Sequence, residues 1–439
     1  MKRLRVAGRG KERMVEMLGQ NEVWLCNWLW SSVCGNYVTM PSFEPFSGLR
    51  YAPSISLNDV ICPPYDIIGP DQRQIYANRS RANAIHVELP SEDASYPNRY
   101  EHAASVWRGW IEDKVVIRDP TPCLYVYRMT SPDGQATTGI MGALGLEEPG
   151  EGILPHEETI SKDKTDRLEL LRHCQANISP IWGLSLATGL APLCGDLLST
   201  APAGVGVDSD AVVHEIWTIS DAGTISKIRD LIESSVVVIA DGHHRFETAL
   251  AYSREAPDPP SGGMGDGSGL VMAYIVELSE EEMTVMPIHR LVKLSSADTV
   301  SQVDIIEGFK ALYEVVPFDP AGSESAISLA GQCRMVLVLN GKMFELTRKN
   351  PRDESVVESS IIRQVLSTLG IPDSDVSYTS EPATAIESVN TGKADLAILM
   401  RPVTVSQIAS YAHDKKRMPP KSTYFWPKPR TGMVFRSLY

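Results

Sequence analysis

The stretch Val236-Val237-Val238-Ile239-Ala240-Asp241-Gly242-His243-His244-Arg245-Phe246-Glu247-Thr248-Ala249-Leu250-Ala251 decides how this chain is read. Its first four residues are apolar and β-branched without a break, the pattern of a strand buried on both faces. Phe246, Ala249 and Leu250 then recur at i, i+3 and i+4, which puts them on one side of a helix. Between strand and helix stands Gly242, whose missing Cβ permits the positive φ of a tight turn. The helix start offers unpaired N–H groups and the positive end of its dipole, so the turn suits an anion.

Three neighbours add chemistry to that turn. Arg245 can grip phosphate or carboxylate with two parallel hydrogen bonds, and His243 and His244 can donate hydrogen bonds or move protons near neutral pH. Asp241 is out of place in a simple phosphate cradle and calls for another role: metal ligation, orientation of a His, or general base catalysis. A plainer account, an Asp-Gly turn with Arg245 in a surface ion pair, suffices for a lone Asp-Gly. It is less satisfying for Asp-Gly-His-His-Arg directly after a buried strand.

The turn resembles the Gly-x-x-Arg loop of the ParB and sulfiredoxin superfamily, and most closely the Asp-Gly-His-His-Arg-type loop of its free-serine kinases. That resemblance implies nucleotide phosphates held at a helix N-terminus and phosphate transfer to free serine. A wider resemblance runs from Met40 onward. Ile61-Cys62-Pro63-Pro64-Tyr65-Asp66, His156-Glu157-Glu158-Thr159, Lys164-Thr165-Asp166-Arg167-Leu168, Ala176-Asn177-Ile178-Ser179-Pro180-Ile181, Pro287-Ile288-His289-Arg290 and Pro420-Lys421-Ser422-Thr423-Tyr424-Phe425, with Ala240 to Ala249, are similar to the prokaryotic family of domain of unknown function 1015. It implies no particular reaction.

At 439 residues the chain can bury a large core and hold two or three folding units. A net charge of -14 argues against nucleic-acid binding through phosphate contacts. The seven Cys residues are scattered, without a Cys-x-x-Cys or a metal-binding spacing, as expected of reduced thiols in a cytoplasmic protein. No apolar run approaches the roughly 20 residues that span a bilayer. The expected class is mixed α/β or α+β, mixed sheets with flanking helices around a ParB/sulfiredoxin-like nucleotide element.

Residues 1–39 are expected to be an extension, disordered or upstream of true initiation at Met40. An N-terminal α+β region is expected over 40–150, a central region carrying the turn over 151–293 and a C-terminal α+β region over 294–439. In the first, Pro63-Pro64 presents Tyr65 and Asp66 from a rigid loop, and two β-rich runs flanking Ser131-Pro132-Asp133-Gly134 read as a hairpin. The second polar concentration, His156 to Arg167, combines Glu157, Glu158, Lys162, Asp163 and Arg167. Such a mixture can supply a base, a metal ligand and a phosphate partner, although a charge run is also an ordinary solvated face. Asn340-Gly341 marks a hairpin in the third region. The Pro-rich tail, Met418 to Arg436, should pack back on the body because its aromatic residues need burial.

These residues point to a small-molecule phosphotransferase, a kinase using ATP or ADP with Mg on a hydroxyl substrate, and the resemblance to free-serine kinases implies free serine as that substrate. Gly242, His243, His244, Arg245, Lys162, Arg167, His289 and Arg290 would hold phosphate or nucleotide. Tyr65, Asp66 and Asn177 would bind substrate, and Asp241, Glu157, Glu158 or Asp163 would take the hydroxyl proton. The same anion site also fits a phosphatase or other hydrolase, or a regulatory protein that binds its ligand and does no chemistry. The partner is a small molecule, with neither nucleic acid nor membrane, and a homo-oligomer is compatible with all three readings.

Overall fold

A computed structural model describes residues 40–157, 164–256, 266–294, 300–318, 334–350 and 356–439. The expected extension at residues 1–39, most of the Pro/Gly-rich loop after the central helix, and Glu158, Lys162 and Asp163 lie outside the described residues.

The apolar run of the central stretch forms the strand Val237–Asp241, and the helix after it spans His243–Glu255. Val237, Val238 and Ile239 are at most 1% exposed, because the strand is flanked on both edges and covered on both faces. Its side chains alternate between two cores: Val238 and Ala240 enter one, Val237 and Ile239 the other. Phe246 and Ala249 of the helix join the second core, which explains their spacing.

This strand belongs to a nine-stranded mixed sheet. Across it the order is Ile153–Pro155, Val237–Asp241, Ile181–Ser185, Leu270–Glu277, Ala136–Gly145, Leu124–Thr130, Val213–Ile219 and Gly204–Val207, with Phe43–Glu44 paired to Ala136–Gly145. Val237–Asp241 runs parallel to Ile153–Pro155 and antiparallel to Ile181–Ser185. The hairpin read around Ser131-Pro132-Asp133-Gly134 is present, with Tyr125 opposite Met141.

A second, antiparallel sheet has six strands, ordered Tyr313–Phe318, Lys342–Arg348, Met335–Leu339, Leu396–Leu399, His289–Val292 and Val376–Thr379. The hairpin at Asn340-Gly341 takes positive φ at both residues (49° and 68°), the turn that matches the twist of its strands. Helices flank both sheets, so the architecture is the mixed α/β, α+β class expected.

The tail does return to the body. Tyr424–Trp426 pairs with Thr284–Met286, Arg436–Ser437 pairs with Ala176–Asn177, and Phe425 and Phe435 are buried. The tail places Lys428 beside the end of the central strand, on Asp241, and Arg430 on Asp208 and Asp210.

Candidate functional site

Asp241 ends its strand where the register shifts against Ile181–Ser185, so its carboxylate leaves the sheet. One oxygen receives Nη2 of Arg245 at 2.6 Å and the other receives Nζ of Lys428. Gly242 follows with φ +85°, and a Cβ there would stand 3.0 Å from the Arg245 guanidinium. Arg245 is thus folded back under its own turn, and its Nη1 donates to the Pro180 carbonyl.

The cluster is buried and its charges are mutually fixed. Burial works to raise the Asp241 carboxyl, but Lys428 and Arg245 outweigh it and hold the group well below the usual carboxylate range. Burial works to lower Lys428 and Arg245, and Asp241 with Asp66 more than offsets it. Asp66 behaves oppositely. It keeps a path to solvent, yet crowding protein and then the nearby Asp241 push its carboxyl up. Among the described residues it forms no ion pair within 4 Å.

The Pro63-Pro64 loop is pinned beside the turn. The Tyr65 N–H donates to Glu88 Oε1 (3.2 Å), Ser179 Oγ donates to the same oxygen (3.0 Å), and the Tyr65 ring carries the Arg167 guanidinium 4.1 Å from its centroid. Arg167 donates in turn to the Glu88 carbonyl (2.7 Å) and to Asp166. On the other side of Asp241, His156 Nδ1 donates to the Ile239 carbonyl (2.6 Å), and its Nε2 meets the Thr423 hydroxyl (2.7 Å). The His156 and His243 rings lie 5.0 Å apart. Burial, and then His156, push His243 well below the ordinary histidine value, and its Nε2 is buried without a partner among the described residues. Glu157 accepts from the Ser422 N–H (3.3 Å) and lies 3.6 Å from His156 Nε2.

A cleft of about 910 Å³ opens alongside, walled by Ile67, Lys421, Tyr424, Trp426 and Arg430. Tyr424 joins cleft to cluster, since Lys428 Nζ sits 5.1 Å from its ring centroid. Arg430 is held by Asp208 (2.7 Å) and Asp210 (2.7 Å), and Asp208 also binds His214, whose other nitrogen meets the Tyr127 hydroxyl.

The structure therefore brings Tyr65, Asp66, His156, Glu157, Arg167, Asp241, Gly242, His243 and Arg245 into one neighbourhood. It also shows that Arg245 is a member of a buried ion pair, where the plainer account of the sequence put it in a surface one. Asn177 is committed elsewhere: its amide oxygen accepts from the Met272 N–H (2.9 Å) and from Arg436 (2.8 Å), tying the tail to the sheet. His289 is wholly buried in the second sheet, where its Nδ1 accepts from the Met400 N–H (3.0 Å). Arg290, next to it, lines a different cavity.

Lys428, Tyr424, Arg430 and Glu88 were missed from sequence. A signal existed for Lys428 and Arg430: cations between prolines and aromatic residues, in a segment that must be buried, need acidic partners.

With the geometry in view, comparison with known proteins is informative at the family level. A family model described as protein of unknown function (DUF1015) matches residues 43–370, and the chain belongs to that family. No curated protein sequence matches the chain. Among solved structures, a conserved hypothetical protein from Pyrococcus furiosus is similar at 13% identity and TM-score 0.34, covering 64% of this chain and 90% of that one. A free serine kinase variant in complex with AMP is similar at 14% identity and TM-score 0.37, covering 65% and 89%. SbnI with a C-terminal truncation, from Staphylococcus aureus, is similar at 10% identity and TM-score 0.36, covering 68% and 87%. Among the described residues no helix is long and apolar enough to cross a membrane.

Proposed function

We propose that the chain is a small-molecule phosphotransferase, a nucleotide-dependent kinase of a hydroxyl substrate with free serine as the leading acceptor. The observation that carries this reading is the convergence of Arg245 and Lys428 on Asp241 at the Gly242 turn, beside the 910 Å³ cleft. Two cations meet at the start of the His243–Glu255 helix, where the positive end of the helix dipole adds to their charge, an arrangement suited to phosphate oxygens. The likeness of Asp-Gly-His-His-Arg to the loop of free-serine kinases supports serine.

Asp241 anchors the two cations, because they hold its carboxyl too low for it to accept a proton. Asp66 takes the substrate hydroxyl proton instead; its raised carboxyl is a better base, and it faces the cluster from the rigid Pro63-Pro64 loop. Glu157 is the second candidate for that role. Tyr424 and Trp426 offer aromatic faces to a base, Lys428 and Arg245 suit the phosphates, and Glu157 would supply an oxygen for Mg. That ion commonly takes one or two carboxylates and completes its shell with water and phosphate. When bound, the nucleotide supplies the phosphoryl group and the ion offsets its charge.

The test is turnover of ATP or ADP with Mg in the presence of serine and other small alcohols, with product read by mass spectrometry. Phosphorylated acceptor supports the kinase. Release of phosphate from phosphoserine without nucleotide would point to the hydrolase, and tight binding without turnover to the regulatory protein.

A further inference from the structure

Arg290 is only 5% exposed, and among the described residues it has no carboxylate within 4 Å. Its strand is paired on both sides, opposite Ile398 and Tyr378, which fixes the side chain at one face of the second sheet. One donor, Nη1, goes to the Ile288 carbonyl, and the guanidinium lies 5.5 Å from the Tyr378 ring centroid. The nearby acids are engaged with other partners. Glu358 receives Arg401 (2.6 Å) and the Tyr313 hydroxyl (2.6 Å), Asp373 receives Arg363 (2.6 Å), and Glu157 faces Ser422 and His156. Glu157 does favour the charged guanidinium from a distance, but burial dominates and lowers Arg290 to about 10.

A buried guanidinium without a carboxylate is costly, and its planar fork is made for an oxyanion. Arg290 lines a cavity of about 400 Å³ with Arg363, Ser374, Tyr378 and Pro419, a volume in the range of small-molecule sites. None of its walls comes from the Asp241 turn. Tyr378 also lines the large cleft and so stands between the two cavities. We propose that this cavity is a second ligand site, for a small molecule bearing a phosphate or carboxylate group, with Arg290 gripping the oxyanion and Arg363 at its rim. The site is independent of the kinase reading and stands if that reading fails.

The experiment is titration calorimetry on the full chain with inorganic phosphate and, separately, succinate. Phosphate alone binding assigns a phosphate ligand, succinate alone a carboxylate, and either supports the site. Arg290→Met should weaken binding by at least about tenfold, as loss of a two-pronged contact requires. Ser374→Trp, at an exposed position on the cavity wall, should do the same with an unchanged melting temperature, which covers the case in which the Arg290 variant folds poorly. Every titration is run in the Lys428→Met background as well, because the Asp241 cluster is itself proposed to take phosphate; the binding that remains there is the binding the two cavity variants must remove. Binding of neither anion at millimolar concentration, or binding that survives in either cavity variant, overturns the proposal.

Discussion

At the scale of single residues, Asp241 is the point on which the site turns, and its two cations do not carry the same expectation. Arg245→Ala removes a buried guanidinium that holds both Asp241 and the Pro180 carbonyl, so stability should fall by about 2 to 4 kcal/mol, measured by denaturant unfolding. Lys428→Met should cut phosphoryl transfer by about 10² to 10³, because a charge aimed at the transferring group is lost. Asp66→Asn should reduce kcat by about 10² to 10⁴ with little change in KM. In the unaltered protein the acid limb of the rate profile should then lie above the ordinary aspartate value of about 4, since Asp66 is raised in the folded state. The sequence exposed Asp241, Gly242 and Arg245 as a unit because they are adjacent. It did not expose Lys428, 187 residues away, whose role exists only once the tail is folded back.

At the scale of elements, the strand, turn and helix were legible because each has a local cause: β-branched residues, a glycine and a 3.6-residue repeat. Gly242→Ala tests the middle one. A side chain at φ +85° is strained, and the new Cβ would press on Arg245 at 3.0 Å, so a loss of about 1 to 2 kcal/mol is expected, together with weaker phosphate binding. Retained stability and affinity would show that the turn relaxes freely. The polar segment after Pro155 was legible only in part. That His156 and Arg167 would approach the turn depends on Ile153–Pro155 pairing with Val237–Asp241 and on the Lys164–Cys174 helix lying against the His243–Glu255 helix, and neither pairing is written in local sequence.

At the scale of the whole molecule, the buried histidines set the response to acid. His214 and His243 are held below their ordinary value by burial, and His289 is lowered to about 4 by burial and by Arg290. The unfolded chain binds protons at these positions below about pH 6.5 while the folded chain does not. Stability from them is therefore present above that pH and is lost as pH falls toward 4. Below about 4 the depressed carboxylates of Asp208 and Asp241 add a second loss of the same sign. Melting temperature followed from pH 8 to pH 3 should decline over both windows, and a flat profile down to pH 4 would contradict the histidine part. Deleting the tail after Arg417 should abolish cooperative unfolding. It removes Phe425, Phe435, two strand pairings and the cations that neutralise Asp241 and Asp208.

What the sequence by itself determined was the strand, turn and helix around Gly242, the hairpins, the mixed class and the family to which the chain belongs. Local periodicity and composition carry that much because helices, strands and turns are chosen by neighbours in the chain. Tertiary structure decided the rest: that Asp241 is a clamped counter-ion, that Asn177 and His289 serve internal hydrogen bonds, and that Arg290 faces a cavity of its own. The reason is physical. Charge, burial and hydrogen-bond partners act through space, and a carboxylate or guanidinium acquires its role from side chains that the fold, not the order of residues, brings within a few ångströms.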